Sequence, residues 1–423
     1  MLEAIRPSFE SEPRLTTLAV AVFIIVYLGM ALGRFPGFAI DRTGIALLGL
    51  IVLLASGDLT LDAAGRAVDM PTIALLFALM IVSSQFEQSG FYGWVADRIT
   101  RAARHPRRLL AVLIAATGLL SAVLTNDVVV FALTPLICAG LLRRGLDVRP
   151  YLIALAGAAN AGSAATLIGN PQNILIGQAG HIDFARYIAL ALPPTLVALA
   201  AVYLAVVVTW SGPLTPRDIP QLRAEPIIVG RFQTTKGFLA IAVLIGLFLS
   251  PFPHELGALA VAGVLLLSRR LSSRDMIGAV DWHLLLLFVC LFGVTAAFAR
   301  TGIAQDGLAA LAAHGLAAGR VTVMTALSLF TSNTIGNVPT VVLVLGLMPD
   351  LPQGALIGLA LLSTFAGNLL LTGSLCNIIV AERAQASGAT LTFGDFARSG
   401  IPMTLVSLTA TAGWLWIMGL MPL

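Results

Sequence analysis

The sequence predicts an all-α polytopic membrane protein: two inverted repeats, about ten transmembrane helices, and two re-entrant helical hairpins. Three observations predict it: apolar runs recurring along the chain, a tandem self-similarity, and basic residues gathered on alternate loops. Of the 423 residues, 58% are hydrophobic and 11% charged, against roughly a quarter charged in a soluble domain. Runs of about 15 to 25 apolar residues match what a hydrocarbon core about 30 Å thick asks of each crossing helix.

The first run, "LTTLAVAVFIIVYLGMALG" (15–33), follows a head of mixed charge and lacks a small-residue cleavage site, so it reads as a retained first span. Self-similarity then organises the rest. "GRAVDMPTIALLFALMIVSSQFEQSGF" (65–91) aligns without a gap on "IGAVDWHLLLLFVCLFGVTAAFARTGI" (277–303). "LTND" (124–127) falls opposite "TSNT" (331–334), "LIGNPQNILIG" (167–177) opposite "LTGSLCNIIVA" (371–381), and "DFAR" occurs at 183–186 and 395–398. The order is the same in both halves. Residues 1–214 therefore read as the first repeat, 215–236 as a cytoplasmic linker, and 237–423 as the second repeat.

Each half reads as three spans, a hairpin with a polar tip, a Gly/Asn-interrupted span, and a last span. The hairpins are assigned to 108–142 and 318–348. Arms of about 16 residues rise about 24 Å, marginal for crossing, and arginines flank both ends of the first hairpin. Five crossings per half is an odd number, so the second half inserts upside down. With the Arg98–Arg108 loop in the cytoplasm, cytoplasmic segments hold 19 basic residues, among them Arg34, Arg42, Arg104, Arg217, Arg223 and Lys236. The opposite side holds six: Arg6, Arg14, Arg66, Arg186, Arg300 and Arg320. That asymmetry follows the positive-inside rule. It places the chain in a cytoplasmic (inner) membrane with both termini outside.

Irregular backbone survives at membrane depth only where protein buries it or where it lines a wet cavity. Both tips and both interrupted spans therefore point to one place at the repeat interface, where transporters hold substrate and coupling ion. The candidates are Thr125, Asn126 and Asp127 at the first tip, and Ser332, Asn333, Thr334 and Asn337 at the second. The interrupted spans add Asn160, Ser163, Thr166, Gly169, Asn170, Gln172 and Asn173, mirrored by Thr364, Asn368, Thr372, Gly373, Ser374 and Asn377. Half-helix N-termini offer N–H donors to an anion, and amide or hydroxyl oxygens suit Na⁺, with Asn126, Asp127 and Asn333 as its ligands. The competing reading for any one of these residues is a helix cap or interhelical glue. Asp127 is the acid nearest the middle of an apolar element, as Na⁺ ligand or proton carrier. In this alignment Thr334 takes its place in the second half. Asp69 and Asp281 read as helix caps, and the "DFAR" segments as amphipathic connectors.

Other classes fit poorly. The arginine clusters lie in short loops without interleaved aromatics, which argues against nucleic-acid binding. The five histidines fall in loops or at span ends, and no H-E-x-x-H or G-x-S-x-G pattern marks an enzyme. Cys138, Cys290 and Cys376 are scattered and read as small core residues. A Walker motif is absent and no cofactor is expected beyond a coupling H⁺ or Na⁺. A homodimer and a partner ATPase subunit stay open.

At "LTNDVVVFALTPL", "SNTIGNVPT", "GSAATLIGNPQNILIG" and "RSGIPMTL" the chain resembles the ion transporter superfamily, particularly the arsenite-permease and NhaD-like sodium/proton antiporter group. That group is related to divalent-anion/sodium symporters and citrate transporters; the symporters carry a Ser-Asn-Thr motif like Ser332-Asn333-Thr334 at both tips, which with the neighbouring broken spans hold Na⁺ and a carboxylate. The resemblance implies secondary transport of arsenite, silicate, sulfate, citrate, dicarboxylates or Na⁺. Because the sequence puts no Arg or Lys in the middle of a span, a small inorganic oxyanion or neutral metalloid hydroxide is the expected substrate. Sodium-coupled succinate or citrate transport and Na⁺/H⁺ antiport are the alternatives.

Overall fold

The computed structural model describes residues 13–32, 38–102, 105–210 and 229–423. Among them are twenty α-helices, one 3₁₀ turn and no strand. The first half contains α1 (Pro13–Leu32), α2 (Arg42–Ser56), α3 (Leu61–Ala67), α4 (Met70–Gln88), α5 (Phe91–Ala102), α6 (Pro106–Val123), α7 (Asn126–Leu142), α8 (Arg149–Ser163), α9 (Pro171–Ala179) and α10 (Phe184–Thr209). The second contains α11 (Arg231–Phe248), α12 (His254–Leu266), α13 (Ser273–Gly278), α14 (Trp282–Ala299), α15 (Ile303–Ala313), α16 (Val321–Thr334), α17 (Asn337–Leu347), α18 (Gln353–Ala366), α19 (Leu375–Ala386) and α20 (Phe393–Ile417). Arg6, Arg34, Arg104, Arg217, Arg223 and most of the 215–236 linker lie outside the described residues. The end of that linker, Arg231 to Lys236, is not a connector: it forms the first turns of α11.

Local chemistry sets many of the helix starts. Asp69 accepts from Thr72 N at 2.9 Å and Asp281 from Leu284 N at 2.9 Å, so these mirrored acids are N-caps. The "DFAR" segments are not separate connectors. Asp183 caps α10 through Arg186 N at 2.7 Å, and Asp395 sits three residues into a capping box with Thr392. Both segments therefore open the two longest helices directly.

Among the described residues, six helices are long and apolar enough to cross a bilayer: α4, α6, α10, α11, α14 and α20. α6 is among them, although its sequence reads above as a short arm. Started at Pro106 and carried to Val123, it has 18 residues and rises about 27 Å. Helices apolar on every side must bury all faces or show one to lipid. α8 and α18 take the first course: from Pro150 to Ser163 and from Ala355 to Ala366 every residue is buried. The flanking helices take the second, exposing Ile24, Ile25 and Leu28 on α1, Leu204 and Val208 on α10, and Leu405 and Val406 on α20.

One packing scheme occurs twice. α6 packs on α8 as α16 packs on α18, and α7 lies on α19 as α17 lies on α9. α10 covers α8, and α20 covers α18. The first two helices of each half leave their own half: α1 and α2 pack on α14, while α11 and α12 pack on α4. Tyr27 Oη and Thr295 Oγ1 at 2.9 Å, and Gln85 Nε2 donating to Gln233 Oε1 at 2.9 Å, tie these exchanged arms. The α6–α8 contact is close because Gly162 rests on Gly118; a Cβ at 162 would collide with the Gly118 backbone.

Candidate functional site

The two central helices stop inside the protein. α8 ends at Ser163 and α9 starts at Pro171; α18 ends at Ala366 and α19 starts at Leu375. Pro171 occupies the first turn of α9, where its missing N–H costs nothing, and Asn170 caps that helix through Asn173 N at 2.8 Å. Each break frees backbone carbonyls that need donors. Asn173 Nδ2 donates to Ser163 O at 3.5 Å and to Thr166 O at 3.0 Å. Asn377 Nδ2 donates to Gly367 O at 2.8 Å and to Leu370 O at 3.0 Å. The three positions of one set correspond to those of the other at one constant offset.

The breaks also bond to each other. Ser374 Oγ donates to Asn160 Oδ1 at 2.9 Å, and Asn170 Nδ2 donates to Thr364 Oγ1 at 3.4 Å. These bonds are counterparts under that same offset, so the crossing point has an internal two-fold pattern. Gln172 Nε2 adds a second bond to Thr364 Oγ1 at 3.2 Å. Asn160 is the hub. Its Oδ1 also accepts from Asn126 Nδ2 at 3.3 Å, while its Nδ2 donates to Asn368 Oδ1 at 2.8 Å and Asn377 Oδ1 at 3.1 Å. Two bonds accepted and two donated exhaust an amide. Asn160 therefore positions its neighbours and has no capacity left for a ligand.

The tips contribute unequally. Asn126 opens α7 and accepts from Asp127 N at 3.0 Å, and its own N–H donates to Gly169 O at 2.9 Å. Asn337 opens α17 and accepts from Val338 N at 3.0 Å. The counterpart of Asn126 is thus Asn337 and not Asn333, because α16 continues through Thr334 before the chain turns at Gly336. Val338, and not Thr334, stands where Asp127 stands. Thr334 Oγ1 bonds back to Phe330 O at 3.0 Å and does not reach the crossing point. Asn333 splints the second break: its Nδ2 donates to Ala366 O at 2.9 Å, its Oδ1 accepts from Leu370 N at 3.2 Å, and it lies over Gly373. Among the described residues no hydrogen bond joins Asn333 to Asn126 or Asp127. Ser332 Oγ donates to Ser363 O at 3.3 Å, and Thr166 Oγ1 to Ala122 O at 2.5 Å.

Asp127 is half-buried and accepts from Cys376 Sγ at 3.1 Å, across the two halves. Cys376 is therefore part of the site, unlike Cys138 and Cys290. Thr125 Oγ1, Ser121 Oγ, Gln172 Oε1, Asn173 Oδ1 and Ser363 Oγ are buried without a hydrogen-bond partner among the described residues. Such oxygens are what an oxygen-seeking cation or a hydroxyl-bearing guest engages. Sequence reading missed Ser121, Ser363, Cys376 and Tyr187. The Tyr187 hydroxyl receives Asn173 Nδ2 at 3.0 Å and donates to Ala164 O at 3.0 Å. Only the match of Ser121 to Ser332 in the corrected register could have signalled any of them.

A cavity of about 640 Å³ lies beside the second tip. Gly336, Asn337 and Thr372 face it from one side, Arg42 and His283 from α2 and α14, and Glu382 from α19. Arg42 begins its helix yet reaches the tip, so a search for basic residues at span centres passes over it.

The comparisons with known proteins agree with this architecture. Residues 20–355 match the family model described as "Citrate transporter". An uncharacterized transporter of Mycobacterium tuberculosis is 29% identical over 431 aligned residues, covering 95% of this chain and 99% of the relative. The silicon efflux transporter LSI3 of Oryza sativa subsp. japonica is 27% identical, covering 88% of this chain and 91% of that one. The crystal structure of the Alcanivorax borkumensis YdaH transporter superposes with a TM-score of 0.59 at 18% identity, covering 97% of this chain and 100% of that one.

Proposed function

Since the chain belongs to the citrate transporter family, a group of membrane transporters and not enzymes, we propose that it carries a small inorganic oxyanion or metalloid hydroxide, arsenite-like in size, across the cytoplasmic membrane. A proton or sodium gradient drives the movement by alternating access. The observation that carries this reading is the Asn160 hub, which bonds the broken helices of both halves and the first tip into one buried polar crossing.

In this reading residues 1–214 and 237–423 are inverted repeats, and the α6–α7 and α16–α17 pairs are hairpins dipping to the crossing from opposite faces. Asn126, Asn337, Ser374 and the unpaired oxygens of Thr125 and Asn173 contact the guest, with Asp127 as the coupling group. The efflux role of the rice relative favours export. A second reading, sodium-coupled di- or tricarboxylate transport, draws support from the size of the 640 Å³ cavity and from Arg42 within it.

The test is transport in proteoliposomes across arsenite, sulfate, phosphate, citrate and succinate, with and without Na⁺ and a pH gradient. Asp127→Asn is expected to abolish coupling while the purified protein keeps its elution profile. Full retention of coupling would remove Asp127 from the mechanism. Na⁺-induced pH changes with no substrate present would support Na⁺/H⁺ antiport instead.

A further inference from the structure

We propose that Arg42 selects the charged form of the substrate, and that Glu382 is the acid against which an arriving anion competes for it. The inference rests on the transporter reading and adds to it the class of guest admitted at the second tip.

Arg42 is the first residue of α2, and the acid beside it is otherwise engaged: Asp41 accepts from Gly44 N at 2.8 Å. The guanidinium extends toward the second tip. Its Nη1 lies 3.9 Å from where a Cβ on Gly336 would stand. Gly336, at φ 99°, has no side chain to fill that space. Among the described residues no hydrogen bond or ion pair engages the half-buried Arg42 side chain. A guanidinium that has shed part of its water without gaining a partner is poised to take one.

The other acids lining the cavity, Asp41 and Asp281, are helix caps. Asp281 is the α14 cap, accepting from Leu284 N at 2.9 Å. His283 holds α2 through its backbone, its carbonyl accepting from Thr43 Oγ1 at 3.4 Å. Glu382 on α19 is the acid whose field reaches Arg42, yet the two form no ion pair within 4.0 Å. A cavity of about 640 Å³ separates the elements that carry them. The planar fork of an arginine matches two oxygens of a carboxylate or tetrahedral oxyanion, and a neutral hydroxide gains far less from it. An anion seated there would pair with Arg42 and weaken the pull of Glu382.

The two charges give opposite predictions, and these form the test. The full chain in proteoliposomes is assayed at pH 7 with citrate and sulfate as charged probes and arsenous acid as the neutral one. Arg42→Gln should shift the ratio of anion to neutral KM at least tenfold against the anion, with Arg42→Lys intermediate. Glu382→Gln should lower the anion KM severalfold. Equal effects of Arg42→Gln on both probes, or Glu382→Gln moving the anion KM upward, would overturn the proposal. If Arg42→Gln fails to fold, the sign of the Glu382→Gln shift decides. If the wild type transports none of the probes, the transport reading falls. The Arg42 assignment is then read from citrate-induced thermal stabilisation, present in the wild type, reduced in Arg42→Lys and lost in Arg42→Gln; its absence from the wild type would sink the assignment too.

Discussion

Replacing Asn160 with Ala strips the crossing point of its central amide. The side chain is fully buried, and it is bonded to Asn126, Asn368, Ser374 and Asn377. Each lost bond between neutral groups is worth about 1 kcal/mol, so losing all of them costs about 4 kcal/mol. Unfolding entropy of about 2.1 cal/mol/K per residue converts this to a fall in Tm of about 4–5 °C for a chain of 423 residues. Thr364→Val is the internal control. It deletes the symmetry-related group, which accepts only two longer bonds, at 3.4 and 3.2 Å, and should cost about 1–2 kcal/mol. Tryptophan fluorescence of the detergent-solubilised protein during heating measures both. A Thr364→Val loss as large as that of Asn160→Ala would refute the idea that the hub lies on one side of the pattern.

Two further changes probe the scaffold. Gly336 has φ 99° and ψ 157°, a region open essentially to glycine, so Gly336→Ala should destabilise by about 1–3 kcal/mol; an unchanged melting temperature would contradict that. Asp147 is partly buried, which favours its neutral form, but hydrogen bonds from the Arg149 side chain and backbone outweigh this and hold the carboxyl below its usual range. A depressed folded-state pKa contributes stability above the unfolded value of about 3.9 and loses it as pH falls through the folded one. Asp147→Asn should therefore melt lower than wild type at pH 7 and converge with it as pH falls through the folded-state value; a gap independent of pH would show that the charge is not the cause.

The sequence disclosed what depends on short-range chemistry. "GNPQN" announces a break because proline, glycine and asparagine act on their own backbone. Asp69 and Asp281 announce caps because the bond spans three residues. The correspondence of the two halves shows in sequence identities such as Ala-Val-Asp at 67–69 and 279–281. The register of the tips does not: pairing LTND with TSNT sets Asn126 opposite Asn333, whereas the chain turns at Gly336 and sets it opposite Asn337. Contacts between halves were equally hidden. Nothing near Cys376 in sequence says that it meets Asp127, 249 residues away, and nothing near Arg42 says that the far tip lies alongside.

The exchange of arms makes each half depend on the other. A chain of half this length would fold with the flank of its long fourth helix bare and its first two helices grasping at nothing, since each finds its seat only on the other repeat. Those contact faces are therefore covered by the other half of the same chain. The two halves are nonetheless not interchangeable at the tips: an acid stands at position 127 where its counterpart is Val338.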